Sequence, residues 1–265
     1  MAILLFKLLI TPLFIGSATL VGRRWGPVVN GLVVGLPLTT GPISIILANE
    51  YGSAFATRAA AGSLAGQVSM CAFCLVYSLM AQRAGWALSA AAAISAFLAT
   101  TVTLNGISWE LWPALAILLT AILVTARLVP SRPTGARSAM PPAWDLPARI
   151  GVATTFVMAL TTIANMLGPQ LSGLLSTFPI FGVVFAAFTH AQQGPQAATN
   201  LLRGIVFGSV AYACFFLTIG LGLPAVGVWA TYSLALLVAL AVSGLMYLGF
   251  SRGHRRDRGA PATPV

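Results

Sequence analysis

Carboxylates are nearly missing from this chain. Its 265 residues include only 4 acidic ones, Glu50, Glu110, Asp145 and Asp257. None sits at the middle of an apolar run, where a buried ionisable group would be the expected proton carrier of a pump or antiporter. A proton relay through a buried Asp or Glu is therefore excluded as the leading mechanism. Cysteine is scarce too: Cys71, Cys74 and Cys214 are the 3 in the chain, all within apolar runs. The Cys-x-x-Cys at 71–74 has no second pair and no nearby histidine, so it reads as small apolar packing rather than as a metal or redox centre. No nucleophile–base or metal constellation lies in the runs. An intramembrane enzyme thus ranks last among function classes, and no cofactor is expected. Charged residues make up 7% of the chain against 58% hydrophobic ones, which excludes a water-soluble domain of this size.

Apolar runs dominate what is present. A membrane-crossing helix takes about 20 largely apolar residues. Runs at 3–21, 27–48, 58–81, 86–104, 111–128, 148–166, 169–190, 198–220 and 225–249 meet that length. The expected fold is an all-α integral membrane protein of nine transmembrane helices, with the lipid bilayer as its solvent. The longest polar interruption is the Pro-rich "PSRPTGARSAMPPAWD" at 130–145. The first run has no basic stretch ahead of it and no clear cleavage site, so an uncleaved helix is expected rather than a signal peptide.

Arginines set the expected orientation. Arg23, Arg24, Arg83, Arg127, Arg132, Arg137, Arg149 and Arg203 fall on one side, as do Arg252, Arg255, Arg256 and Arg258 of the tail. Only Lys7 and Arg58 fall on the other. Basic loops stay in the cytoplasm, which puts the N-terminus outside, the C-terminus inside, and the chain in a plasma (inner) membrane. The net charge of +10 then reflects topology. These arginines lie mostly in short loops, so a nucleic-acid role is a poor reading; the basic tail suits anionic headgroups instead.

A shift of 142 residues lays the sequence on itself without a gap, with 13 identities in 50 positions from residue 26 to 75. Gly26, Pro27, Gly31, Pro37, Gly52, Thr57, Gly62 and Gly66 meet Gly168, Pro169, Gly173, Pro179, Gly194, Thr199, Gly204 and Gly208. Five helices separate equivalent points, so the second half is expected upside down relative to the first. The expected organisation is a first repeat at 1–104, a joining helix and loop at 105–146, an inverted second repeat at 147–250, and a basic tail at 251–265.

The second and seventh runs each carry helix breakers at mid-depth: Pro37, Gly41 and Pro42 in "GLPLTTGP", and Pro179 in "STFPIFG". A buried proline removes a backbone hydrogen bond, and freed backbone groups persist in a membrane only beside protein or a wet cavity. Two such breaks at matching positions point to a midplane binding site. Thr39, Thr40, Ser176 and Thr177 flank the breaks, with hydroxyls suited to a small polar solute or sodium. Each can equally bond its own helix's carbonyls. Gln67 is the deepest amide, Ser209 its repeat equivalent, and Tyr212 a gate or packing residue. Asn30, Asn49, Asn165 and Asn200 read as interhelical hydrogen-bonders. Arg58 and Arg203 are vestibule charges able to draw in an anion, though snorkelling to headgroups explains both as well. Glu50 is an outer-mouth acid or a solvated helix end, and His190 an interfacial residue. Gly62-x-x-x-Gly66 and Gly204-x-x-x-Gly208 are small-residue ridges expected to pack the broken helices.

This plan resembles the superfamily of inverted-repeat carriers that includes the bile-acid/sodium symporters and related exporters, which place one broken helix per repeat around a central site. The run "GPISIILANEYGSAFATRAAAGSLAG" is similar to the Gly-Pro region of the LrgB-type membrane proteins, whose plastid relatives export glycolate and glycerate. The chain departs from the ten-helix symporter plan by one helix and has no acidic sodium-site residue in its runs. The resemblance implies an architecture and leaves the substrate open. The expected function is a secondary transporter or exporter of a small organic solute, anionic and amphipathic ones both being compatible, working by alternating access. Coupling to sodium or to the solute's own gradient suits the missing carboxylates. The alternative is an accessory or structural subunit of a partner complex.

Overall fold

The computed structural model describes the backbone of residues 2–37, 40–130, 142, 144–167 and 178–259, and the side chains of 11–37, 40–104, 106–130, 142, 144–159 and 178–249. These residues form helices and no strand. In chain order they are α1 (Ala2–Trp25), α2 (Pro27–Val34), α3 (Thr40–Tyr51), α4 (Ser53–Met80), α5 (Trp86–Asn105), α6 (Leu111–Leu128), α7 (Asp145–Leu167), α8 (Ile180–Gln193), α9 (Pro195–Val226) and α10 (Val228–Gly259). Among them α4, α5, α6, α9 and the Val228–Gly249 stretch of α10 are long and apolar enough to cross a membrane.

Single glycines turn several of these corners. Gly26, Gly52, Gly194 and Gly227 have φ of 92°, 83°, 87° and 75° with ψ near 170–177°, a region that essentially only glycine occupies. Gly52 donates its N–H to Ala48 at 3.1 Å and accepts from Ala56 at 3.2 Å, so one residue closes α3 and opens α4. Gly194 does the same between α8 and α9, donating to His190 at 3.0 Å and accepting from Ala198 at 3.3 Å. Pro27 and Pro195 then occupy the first helical position, where the missing N–H would have no intrahelical partner.

Two helices form the centre. α9 lies along α4 and also touches α2, α6, α8 and α10; α4 in turn touches α3, α5 and α6. Two-thirds of the apolar window of α9, 67%, is buried, against 22% for α5, α6 and α10. The outer helices show leucine to their surroundings: Leu237 is 64% exposed and Leu245 68%. A surface of that kind suits hydrocarbon rather than water. Trp25, Trp86, Trp112, Trp144 and Trp229 all stand at helix ends, between 49% and 71% exposed. Aromatic rings at those positions match the headgroup belt of a membrane protein, a signal present in the sequence that run-counting passes over.

The run at 27–48 is broken as expected, into two half-helices of 8 and 12 residues; each is too short to cross a bilayer alone. Two expectations change. Asp145 is not a solvated loop residue. It is fully buried in the first turn of α7, where Oδ1 accepts from Arg149 Nε at 2.7 Å and from Gln192 Nε2 at 2.7 Å, while Oδ2 accepts from Arg23 Nη2 at 3.3 Å. Arg149 also lies over the rings of Phe185 and Phe188. The carboxylate thus joins α1, α7 and α8, and its desolvation is offset by two cations and an amide. His190 is buried rather than interfacial, with Nδ1 3.5 Å from the Tyr77 hydroxyl. The backbone of α10 remains helical to Gly259, through most of the basic tail.

Three substitutions check this account. Gly194→Ala places a methyl in open space, so backbone strain is the whole effect, and unfolding in detergent should show a loss of about 1–3 kcal/mol. Gly244→Ala, in the helical interior of α10 with equal room, should be neutral or raise stability by up to about 1 kcal/mol. Asp145→Asn, which leaves two arginines facing a neutral amide, should lower stability by about 3–5 kcal/mol.

Candidate binding site at the helix break

Helix α2 stops because its last turns lead into Gly35 and Leu36, and the chain restarts from Pro37. The Gly35 N–H donates to Gly31 at 2.9 Å and the Leu36 N–H to Val33 at 3.2 Å. The Pro37 carbonyl then accepts the Gly41 N–H at 2.8 Å, opening α3. Pro42 is tolerated there because it falls in the first turn, where N–H groups have no partner within the helix. α8 starts in the same way: the Pro179 carbonyl accepts the Val183 N–H at 2.9 Å. Pro37 and Pro179 are both buried.

The half-helix α2 is held by backbone contact with α9. A Cβ added at Gly31 would collide with the main chain of Leu201, Gly204 and Ile205, and one at Gly208 would lie 2.8 Å from the Leu32 carbonyl oxygen. Gly204 and Gly208 therefore form the ridge that receives α2, through Gly31 and Gly35. The matching ridge behaves differently. A Cβ at Gly62 or Gly66 meets no atom within 4 Å, and both glycines border an open groove.

Polar side chains collect beside the break. The Tyr212 hydroxyl, on α9, lies beside the hydroxyls of Thr40 at the start of α3 and of Ser63 on α4, while Ser63 itself donates to the Ala59 carbonyl at 2.9 Å. One turn along α4, Gln67 Nε2 donates to Ser209 Oγ at 2.9 Å, and the Ser209 hydroxyl donates in turn to the Ile205 carbonyl at 3.0 Å. Thr40, Ser63, Gln67, Ser209 and Tyr212 thus form one cluster drawn from three helices. Ser209 is fully buried, Tyr212 is 8% exposed, and Thr40 is open. On the other side of Gly41 lies an apolar cavity of about 160 Å³, lined by Pro37, Pro42, Phe215 and Tyr232 among others. A 2.6 Å hydrogen bond between Ser44 and Tyr232 ties α3 to α10 beside it. Neutral hydroxyls, one amide and an apolar wall can hold and orient a small solute; they offer no nucleophile–base pair.

The remaining candidates are dispersed. Thr39, Ser176 and Thr177 lie outside the described residues, as does the side chain of Asn165. Glu50 and Arg58 are exposed, and Asn49 bonds back to the Ile45 carbonyl at 2.9 Å. The Arg203 guanidinium lies 5.6 Å from the centre of the Phe207 ring, and its Nε is buried without a partner among the described residues. Asn30 is buried with its Oδ1 likewise unpaired. Cys71 and Cys74 are buried in the apolar core, and no group of three metal-ligating side chains occurs among the described residues. Ser63 and Tyr232 are site residues that sequence reasoning missed. Ser63 was legible as the position one turn before Gln67 on the same face; nothing local marks Tyr232 as the partner of Ser44.

No protein-family model matches the chain, and neither a curated protein nor a solved structure does.

The Gln67–Ser209 bond is open to a double-mutant cycle. Gln67→Ala and Ser209→Ala should couple by about 0.6 kcal/mol and at most about 1.7, the range of interhelical bonds in membranes. Additivity within about 0.3 kcal/mol would show that the two side chains do not interact.

Proposed function

We propose that the chain is a secondary carrier of a small organic solute, built as an inverted repeat of nine membrane spans, with its site at the break between α2 and α3. The observation that carries this reading is the Gln67–Ser209 hydrogen bond, which joins residues 142 apart, the offset of the sequence repeat. In a body made of two like halves related by a two-fold axis, equivalent residues can touch only at that axis. The polar cluster then stands where the halves meet, the usual place for a carrier's site.

Further pairs at the same offset support the repeat. Pro37 and Pro179 each open the helix that follows by accepting from the residue four positions on. Gly52 and Gly194 turn the same corner, α4 and α9 begin at Ser53 and Pro195, and α5 and α10 at Trp86 and Val228. The contact of Tyr212 with Thr40 has its counterpart at Met70, whose Cε would lie 3.4 Å from a Cβ at Gly182. The arginine bias still favours an outer N-terminus and cytoplasmic C-terminus in a plasma membrane. Alternating access would rock one half against the other about the cluster, with sodium or the solute's own gradient as the driving force.

The test is the melting temperature of the purified protein against small carboxylates, organic amines and sodium. A ligand that binds only the folded form at 100 times its Kd should stabilise it by about 2.7 kcal/mol. The effect should vanish in Tyr212→Phe and Gln67→Ala proteins that still fold. If no compound shifts the transition and both variants behave as the parent does, the carrier reading fails in favour of an accessory subunit.

A further inference from the structure

The groove between α4 and α5 has the chemistry of a second site, and we propose that it binds an elongated organic monoanion carrying a hydrogen-bonding group at the end remote from its charge. The cavity measures about 350 Å³ and is lined by Arg58, Gly62, Gly66, Ser69, Thr101 and Trp109 among others. It is distinct from the cluster at the break. With about 3.6 residues per turn, positions 58, 62, 66 and 69 share one face of α4, whereas Ser63 and Gln67 lie about 120° round the helix.

Its two ends differ in character. At the mouth stands Arg58, exposed, with no carboxylate paired to it among the described residues. Trp109 closes the same end, its ring held by a 3.0 Å hydrogen bond from Nε1 to the Leu104 carbonyl. An unpaired guanidinium receives a carboxylate through two parallel N–H groups. Deeper in, the hydroxyls of Ser69 and Thr101 are buried, at 0% and 9% exposure, and neither has a hydrogen-bond partner among the described residues. Two orphaned hydroxyls lining one cavity call for a polar group to satisfy them. Between the ends, Gly62 and Gly66 project nothing into the groove, and Ala65 and Leu104 give it apolar walls. The path from Arg58 to Ser69 is about 16 Å of helix axis, too long for one small anion to touch both ends. Charge at one end, apolar body and hydrogen-bonding terminus follow from that order. The proposal stands whether or not the cluster at the break carries a solute.

Trp109 is the reporter. The full-length protein in detergent is titrated with 2-bromododecanoate, whose bromine sits beside its carboxylate and quenches indole fluorescence on contact. A saturable component is expected that is absent from Trp109→Phe and weakened at least tenfold in Arg58→Gln, an exposed position whose loss leaves the core intact. 12-Hydroxydodecanoate should then displace the probe several-fold better than dodecanoate, and Thr101→Val should abolish that preference. Quenching that never saturates, or that persists unchanged in Arg58→Gln, would overturn the anion site. Equal displacement by the two acids in the parent protein would overturn the polar floor.

Discussion

Contact between the backbones of α2 and α9 governs the arrangement around the break. Gly31 and Gly35 on one side and Gly204 and Gly208 on the other leave no side-chain thickness between the helices. Attraction between membrane helices comes largely from close packing, because lipid tails compete equally for apolar side chains. With α2 pressed onto α9 and ending at Val34, the restart at Pro37 falls opposite the middle of α9. That brings Thr40 to Tyr212 and Gly41 to the ring of Phe215. A larger residue at any of the four glycines would push the half-helix outward and carry the break away from its partners.

Polar groups in so apolar a chain are placed in company. The Asp145 carboxylate receives three donors from three helices, and Ser209 both accepts from Gln67 and donates within its own helix. Gln82 and Gln196 pair at 2.9 Å, and Gln82 also reaches Thr199 at 3.2 Å. The links that cross between helices join segments remote in sequence, so they also fix how those helices sit. Ser69 and Thr101 are among the buried side chains left unpaired among the described residues, and these two share one cavity; leaving a buried donor unsatisfied costs about 1–3 kcal/mol.

Much of the fold was legible in the chain itself. Runs of apolar residues gave α4, α5, α6 and α9 within a few residues, because helix formation in an apolar medium is dictated by local backbone hydrogen bonding. The interruption near Pro37 was legible for the same reason: a proline removes its hydrogen bond wherever the helix goes. Part of the site was legible too. Gln67 was marked by its depth, and Ser209 by its position one repeat later. Ser63 and the Ser44–Tyr232 bond were not, since side-chain partners across helices depend on rotation about each axis. Asp145 looked like a loop residue for a related reason: its partners Arg23 and Gln192 are 122 and 47 positions away.

The two glycine ridges separate what each level decides. As sequence, Gly62-x-x-x-Gly66 and Gly204-x-x-x-Gly208 are the same motif, and each specifies a helix face that a neighbour can approach closely. In the folded chain, Gly204 and Gly208 are covered by α2, whereas Gly62 and Gly66 border the groove with Arg58 and Trp109. The sequence by itself determined the helices, their breaks and their apolar character, all of which follow from residues within a few positions of one another. Which faces meet was decided only in the tertiary structure, because that depends on the packing of surfaces that are distant along the chain.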